Sequence, residues 1–419
     1  MEQMNGDANS GEAPIDNLWA QGMGGAVAAL ALGLARESER SEPAWARAWL
    51  NASDPEPTIK QILKHRIADI ALPILVINDD FAPAAAALAA DVRRTRLQSM
   101  TLVAGLRTAA ESLDAANVRY LLVKGPALAA QTTGDWTARR SVDLDLLVDI
   151  RDVPRTAQAL EVAGFAKRSD FAPGPGSPLF APTSKWLQEL AFSSPSHTVD
   201  LHWRLDPSRG CLTWEFRQLW ERHVDVDVGG TDVATLSPVD AALFNAVHAG
   251  KDCWSSLHQL RDHVRLAKVA RLSDHEWQLA ARDASCRIRW EVAQEMCRPL
   301  WPTGQNAANS AWGGARRAKL LARRMWLWLA SGTSPASGGS AGTQWRYLAA
   351  NVAGYDTVRA ATQRLGVVVW PVQEMAAQTL GGQGNRHPWL YPATAPVHIP
   401  RRMVRKSRLV APSRVGEDE

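Results

Sequence analysis

The chain has 419 residues, a formal net charge of +4, 46% hydrophobic residues and 21% charged residues. These values are typical of a globular protein with more than one domain, and they exclude a wholly disordered chain. The charge is too small to indicate nucleic-acid binding by itself, and the four cysteines show no CxxC pair that would indicate a zinc site or a disulfide framework.

The N-terminal quarter of the chain is predicted to be helical after a disordered start. Residues 1–16 are polar and acidic, which does not fit a signal peptide, so we expect a cytoplasmic protein. From residue 17 to about residue 115, apolar residues recur at helical spacing. The run MGGAVAALALGLA is too short to span a bilayer, and it predicts a buried helix rather than a membrane segment.

Residues 116–236 show a different pattern, typical of an α/β unit. Four short segments have strand character: RYLLVKG, SVDLDLLVD, KWLQELAFS and TVDLHWRL. A short helix is predicted after the first, with Pro126 in its first turn. A second helix is predicted to begin with Asp152 as its cap and to end at Gly164. The predicted fold class is therefore α/β (α+β), with a small sheet flanked by helices.

The remaining chain is predicted to be helical again from residue 237 to about residue 330, with Ser237 as the cap and Pro238 in the first turn. Residues 331–342 have the composition of a flexible linker. The segment 343–419 has no assignable role and contains the basic run RRMVRKSR. A solvated tail is the favoured interpretation of this run, and binding to RNA or an anionic surface is the alternative.

Two carboxylates interrupt the predicted strand SVDLDLLVD. Asp143 and Asp145 are two residues apart, so they should project from the same face, and like charges this close repel unless a cation separates them. In TVDLHWRL, Asp200 and His202 share one face. If the two strands are neighbours, Asp200 completes a cluster of three carboxylates, with His202 as a supporting or packing residue. Such oxygen ligands suit Mg²⁺ and a two-metal phosphoryl transfer.

A Lys-Gly pair ends the first predicted strand. Gly125 lets backbone N–H groups approach a phosphate, and the helix that follows contributes its positive end. Lys124 can neutralise a triphosphate as a point charge, although a surface lysine at a strand end is an equally good interpretation.

Two further metal-binding motifs fit the aspartate pair less well. An EF-hand loop fails because Leu147, Val148 and Pro154 occupy the positions that need an oxygen ligand, a glycine and a glutamate. A nucleotide-sugar glycosyltransferase would have a long nucleotide-binding half upstream, where this chain is helical. Pairing of the aspartates with Arg139 and Arg140 remains as a structural interpretation.

Several segments occur in an order that resembles one known family. LLVKGPAL, DLDLLV with Arg139 four residues before it, VDLHWRL and HAGKDCWSSLHQLRD are together similar to the uncharacterised nucleotidyltransferase family of the DNA polymerase β-like superfold. The resemblance extends over about residues 60–275. It implies a mixed sheet with a helical domain beside it, and transfer of a nucleoside monophosphate from an NTP to a small-molecule or peptide acceptor.

The resemblance also implies roles for individual residues. Asp143 and Asp145 are expected to bind the metal, Mg²⁺ or Mn²⁺, and Asp200 is expected to be the third metal ligand and the base for the acceptor. The residues expected to bind the nucleotide are Lys124, Gly125, Arg139, His248 and Lys251. Lys124 and Gly125 stand where the wider superfold usually has a Gly-Ser turn.

A polar set in the last of these segments has helical spacing on one face, which could line the nucleotide cleft, form a solvated stripe or make hydrogen bonds that lock domains together. Its members are His248, Lys251, Ser255, His258 and Asp262.

Two hypotheses of different classes follow from these observations. The first is a Mg²⁺-dependent nucleotidyltransferase whose partners are an NTP and an acceptor, without nucleic acid and without a membrane span. The second is a catalytically inactive module that keeps the fold and binds a nucleotide or a biosynthetic partner. The presence of all three carboxylates favours the first hypothesis.

Overall fold

The computed structural model describes residues 22–78, 80–168, 175, 180–185, 187–300, 316–331 and 341–369. The N-terminal part is helical, as its spacing predicts. Its helices are α1 (Met23–Glu37), α2 (Ala44–Asn51), α3 (Pro55–Lys64), α4 (Ala68–Leu75) and α5 (Ala82–Ala115). Helix α1 is buried from Met23 to Ala35, which confirms the buried helix predicted from MGGAVAALALGLA. Among the described residues, no helix is long and apolar enough to cross a membrane.

A five-stranded mixed sheet follows, and it confirms the predicted fold class. Its order is β1-β2-β5-β4-β3, with β2 and β5 parallel and every other neighbouring pair antiparallel. The strands are β1 (Tyr120–Leu122), β2 (Leu144–Val148), β3 (Ala166–Lys167), β4 (Glu189–Ser193) and β5 (Thr198–His202). Four of them are the predicted strands, and the two-residue β3 is additional.

Strand β2 is shorter than its apolar run predicts. Its pairing with β5 begins at Leu144, opposite Val199, and Val142 is 68% exposed. Asp143 therefore lies immediately before the strand. Residues of β2 alternate between the two faces of the sheet from Leu144 to Val148, and Asp143 lies outside this alternation.

The two faces of the sheet contact different helices. Leu144, Leu146 and Val148 belong to a core with α5 and with α7 (Val153–Val162). Leu147 belongs to a second core, which also contains residues from α1 and α4. Because alternate residues of a strand share a face, Asp145 lies on the side of Leu147. The polar side chains of the sheet therefore face the second core.

Short elements connect the strands and follow them. They are α6 (Gly125–Thr133), α8 (Phe180–Thr183), α9 (Phe216–Glu221), and a hairpin of β6 (Val224–Asp227) and β7 (Asp232–Thr235) that was not predicted. Gly164 ends α7 with φ 87°, as expected. Asp152 stands at the start of α7, but its side chain makes no capping hydrogen bond and pairs with Arg155 instead.

Helices form the rest of the described chain. They are α10 (Pro238–Lys251), α11 (Leu257–Ala270), α12 (Asp274–Asp283), α13 (Arg287–Cys297), a 3₁₀ turn (Arg298–Leu300), α14 (Arg316–Ser331), α15 (Ala341–Ala353) and α16 (Val358–Val369). Ser237 caps α10 as predicted, accepting a hydrogen bond from the Asp240 N–H. Residues 1–16, most of the predicted linker and the basic run at 401–408 lie outside the described residues.

Helices α15 and α16 dock on the end of α10 and on the loop after β5. Tyr347 Oη and Asn351 Nδ2 both donate hydrogen bonds to the Lys251 carbonyl, at 2.8 and 2.6 Å. Tyr355 Oη donates to the buried Asp206 carboxylate at 3.2 Å. The α15–α16 pair is therefore part of the same packed body as the end of α10.

Two histidines are buried without full hydrogen bonding. His65 is 2% exposed and His263 is 1% exposed. Among the described residues, neither ring nitrogen of His65 has a partner, and the same holds for Nδ1 of His263. The His263 ring centroid lies 5.0 Å from that of Trp290. Burial lowers the pKa of each histidine to about 4.

We expect these histidines to make the fold sensitive to acid. Each has a folded-state pKa below its unfolded value, so the unfolded chain binds more protons and the free energy of unfolding falls as pH drops from about 6.5 toward 4. The expected loss is about 1–2 kcal/mol per histidine at pH 5. In urea denaturation at pH 8 and pH 5, His263→Phe should reduce the difference, whereas His275→Gln, at an exposed position, should not. An unchanged pH difference in His263→Phe would contradict this expectation.

Candidate active site

Parallel pairing of β2 and β5 brings two carboxylates side by side. The register places Asp145 opposite Asp200 and Leu147 opposite His202, so the two strands are neighbours, which is the condition that the carboxylate cluster requires. Ligand atoms of Asp145, Asp200 and His202 all lie within 4.8 Å of one another. This buried Asp-Asp-His group could bind a metal ion.

Asp145 is the most tightly held carboxylate of the group. Its Oδ1 lies 3.2 Å from Lys124 Nζ and 3.0 Å from His202 Nε2. Burial alone would raise the pKa of Asp145, but the Lys124 charge and the His202 contact hold it well below its usual range. Asp145 is therefore ionised over the whole physiological pH range.

The pKa values of the other two aspartates are shifted in the opposite direction, upward. Burial and the negative charge of Glu189 raise the pKa of Asp200 to about 6. Burial and the neighbouring Asp145 raise the pKa of Asp143. The positive groups nearby thus compensate Asp145 but leave Asp143 and Asp200 with an unfavourable charge. A cation at this place would relieve that repulsion.

Glu189 is a member of the site that sequence reasoning missed. It lies on β4 opposite His202, and its Oε2 contacts His202 Nδ1 at 3.1 Å. Because the other ring nitrogen contacts Asp145, the imidazole is held on both sides by carboxylates. The pairing register of β4 and β5 creates this contact, and no local motif around Glu189 indicates it.

The Lys-Gly turn has an unusual backbone. Lys124 has φ 68° and ψ −154°, a region that non-glycine residues rarely occupy, and Gly125 has φ 51°. A Cβ on Gly125 would lie 3.2 Å from Ser141 Oγ. Lys124 Nζ also lies 5.0 Å from the Phe244 ring centroid. Backbone strain of this kind is concentrated at functional sites, and here it aims the lysine at Asp145.

Arg139 connects this turn to the helical part of the protein. Its Nη1 donates to Ser141 Oγ at 3.1 Å, and its Nε donates to Asp262 Oδ2 at 2.8 Å. Asp262 is 1% exposed and also accepts two hydrogen bonds from Arg261, at 2.9 and 3.1 Å. Burial alone would raise the pKa of Asp262, but the positive charges of Arg261 and Arg139 hold it well below its usual range.

The polar set at 248–262 does not form one helical face, so that prediction is wrong. Helix α10 ends at Lys251 and α11 begins at Leu257, because Cys253 and Trp254 have φ 54° and 50°. The sequence pattern did not reveal these left-handed residues.

His248 and Lys251 both lie in the last turn of α10. Burial and the nearby Lys124 charge lower the pKa of His248, and the Asp145 charge opposes this effect. Among the described residues, Lys251 forms no ion pair with the three aspartates. Nucleotide binding by His248 and Lys251 remains a prediction.

A family model described as "Uncharacterised nucleotidyltransferase" matches residues 51–296. This interval covers more than half of the chain and contains every site residue described above. The protein belongs to that uncharacterised nucleotidyltransferase family.

One solved structure is similar to part of the chain. It is the crystal structure of an antigenic nucleotidyltransferase-like protein from Paracoccidioides brasiliensis, with 17% sequence identity and a TM-score of 0.27. The match covers 43% of this chain and 85% of the other. No curated protein matches the sequence.

We expect Asp200→Asn to stabilise the metal-free protein. The folded-state pKa of about 6 lies above the unfolded value, so ionised Asp200 costs stability as pH rises through 6, and the neutral amide removes this cost. The expected gain in the free energy of unfolding is about 1 kcal/mol at pH 8 after allowance for partial exposure, and it should shrink at pH 4. Urea denaturation in the presence of a chelator measures it, with the exposed Asp225→Asn as control. A loss of stability at pH 8 would contradict the charge repulsion described here.

Asp262→Ala should destabilise the fold strongly. The substitution leaves Arg139 and Arg261 without their shared buried acceptor, and removing one partner of a buried ion pair costs about 3–5 kcal/mol. Thermal and urea denaturation would show the loss, and Asp283→Ala, at an exposed position on α12, provides the control. Equal stability of the two variants would show that the buried network contributes little.

Proposed function

We propose that the protein is a divalent-metal-dependent nucleotidyltransferase that moves a nucleoside monophosphate from an NTP to a small-molecule or peptide acceptor. The observation that carries the proposal is the in-register pairing of Asp145 with Asp200 beside the Lys124–Gly125 turn. Family membership supports the reaction class. The nature of the acceptor rests on the resemblance of the sequence alone.

The residues present fit a hard divalent cation. Two carboxylates and an imidazole offer ligand atoms within 4.8 Å of one another, and Asp143 adds a third carboxylate next to Asp145. Asp143, Asp145 and Asp200 would hold Mg²⁺ or Mn²⁺, with His202 as a further nitrogen ligand or as support for Asp145. When bound, the metal would neutralise charge on the triphosphate and make the α-phosphorus more electrophilic.

The reaction assigned to this site is an in-line displacement. The acceptor oxygen forms a bond to the α-phosphorus, the bond from that phosphorus to the bridging oxygen breaks, and pyrophosphate leaves. Asp200 is proposed to take the acceptor proton. Lys124 and the N–H groups at the start of α6 are proposed to bind phosphate oxygens, and His202 keeps Asp145 in position. Catalysis of this kind depends mainly on positioning and charge stabilisation.

We expect Asp143→Asn to abolish Mg²⁺-dependent NTP binding and turnover. The variant removes a charged metal ligand but keeps the shape of the side chain, so folding should be preserved. Calorimetric titration of the four ribonucleoside triphosphates, with Mg²⁺ and with chelator, would measure binding. Pyrophosphate release in the presence of candidate acceptors would measure turnover, with Asp225→Asn as the matched control.

Full activity in Asp143→Asn would refute the proposal. Tight Mg²⁺-dependent binding to wild type, without pyrophosphate release for any acceptor, would favour the inactive binding module instead. A wild type that binds no NTP would remove the basis of the transferase, and of the binding module only a partner-binding role would be left.

A further inference from the structure

Three arginines come together at the loop that precedes β2, and the nucleotide-binding roles expected from the sequence include only one of them. Arg139 and Arg140 lie in the loop before β2, and Arg66 lies in the turn between α3 and α4. Burial and the positive charges of Arg140 and Arg139 lower the pKa of Arg66. The three like charges are thus near one another in the fold, although Arg66 is more than 70 residues away in sequence.

The backbone at Arg66 is fixed by the same buried pair that holds Arg139. Arg261 Nη1 donates to the Arg66 carbonyl at 3.2 Å, and Arg261 Nη2 donates to Asp262 at 2.9 Å. Asp262 in turn accepts the hydrogen bond from Arg139 Nε at 2.8 Å. Arg66 follows the C-terminal end of α3 and has φ 57°, a left-handed conformation in which the helix cannot continue. A buried network therefore holds the arginines together despite their mutual repulsion.

The charge of this cluster is only partly neutralised. Among the described residues, the guanidinium groups of Arg66 and Arg140 make no ion pair and no hydrogen bond. The nearby Asp91 raises the pKa of Arg66 slightly, but its ion pair at 3.2 Å is with Arg94. Part of the Arg66 side chain is surrounded by protein, which accounts for its lowered pKa, but the residue still reaches solvent, and Arg140 is half-buried, so both can contact a ligand.

The cluster continues the cationic side of the candidate active site. Arg139 Nη1 contacts Ser141 Oγ, which lies 3.2 Å from where a Gly125 Cβ would be. The Arg139 charge also acts on Asp143, and the Lys124 charge acts on both Asp143 and Asp145. Arg139 thus connects the Lys-Gly turn and its carboxylates to the other two arginines: Arg140 follows it in the chain, and Arg66 is joined to it through Arg261 and Asp262.

We propose that Arg66 and Arg140, together with Arg139, bind the β- and γ-phosphates of the NTP. The inference rests on the proposed function, because it names the residues that bind the phosphate end of the same NTP substrate. Guanidinium groups bind phosphate oxygens through paired hydrogen bonds. The β- and γ-phosphates carry several negative charges, which several adjacent arginines can neutralise. Through Arg66, the N-terminal helical region would contribute a residue to the substrate-binding site.

The test uses the full chain with Arg66→Asn and Arg140→Ala. Asparagine tolerates the positive φ at position 66, and the contact from Arg261 needs only the backbone carbonyl. Arg155→Ala is the control, since Arg155 is 51% exposed on α7, at the opposite face of the sheet. Calorimetry would compare each ribonucleoside triphosphate with its monophosphate in Mg²⁺, and inorganic tripolyphosphate without metal.

We expect each of the two variants to weaken triphosphate and tripolyphosphate binding about tenfold or more, as loss of a charge-assisted hydrogen bond implies. Monophosphate binding should stay within about twofold, and the control should match wild type for all ligands. The salt dependence of triphosphate binding should also decrease in both variants.

The outcomes of this experiment separate the two proposals. If wild type binds Mg²⁺-NTP and the variants bind it equally well, the arginine assignment is wrong and the proposed function stands. Equal losses for monophosphate and triphosphate would also overturn the assignment, because the arginines would then not recognise the phosphate tail. If wild type binds no NTP but binds tripolyphosphate in a way that depends on Arg66 and Arg140, the anion site stands and the proposed function fails.

Discussion

The in-register parallel pairing of β2 with β5 is the constraint on which the site depends. It forces Asp145 and Asp200 into neighbouring positions on a face that is otherwise packed against helices. Two carboxylates in that position are costly unless positive groups surround them. Lys124 and His202 compensate Asp145 directly, and the remaining negative charge makes the place suitable for a cation. The unusual backbone conformation of Lys124 belongs to the same compensation, because the residue in this conformation places its ammonium group beside Asp145.

A second constraint is the fully buried Asp262. It accepts hydrogen bonds from Arg139 and Arg261, and Arg261 also pairs with Asp69 on α4. Arg265, one turn further along α11, contacts both Asp69 and Glu37. This chain of charges joins the loop before β2 to the N-terminal helices. The position of α4 relative to the sheet is thus set by ion pairs as well as by apolar packing, and buried pairs of this kind favour one arrangement over others.

The sequence predicted those features that depend on local pattern. Short apolar and alternating runs located four strands, and the condition on which the carboxylate cluster depended, that the strands of Asp145 and Asp200 are neighbours, is met. The hairpin β6–β7 was missed although VDVDVGGTDVAT carries the alternation and the Gly-Gly turn that indicate one. Glu189 could not be found in this way, because the strand register alone brings it to His202. The contact between the Arg66 turn and Arg261 joins residues 195 positions apart, and no local pattern indicates it. The break after α10 depends on two left-handed non-glycine residues, for which spacing gives no signal.

The docking of α15 on the end of α10 has a consequence for the order of folding during synthesis. The hydroxyl of Tyr347 and the amide of Asn351 reach the Lys251 carbonyl across sequence separations of 96 and 100 residues. A ribosome adding about 5–20 residues per second needs on the order of 5–20 s to supply them. Until then the nascent chain exposes the surface of α10 that these side chains cover. All of residues 51–296, the interval matched by the family model, are therefore synthesised before the two side chains that cover the end of α10.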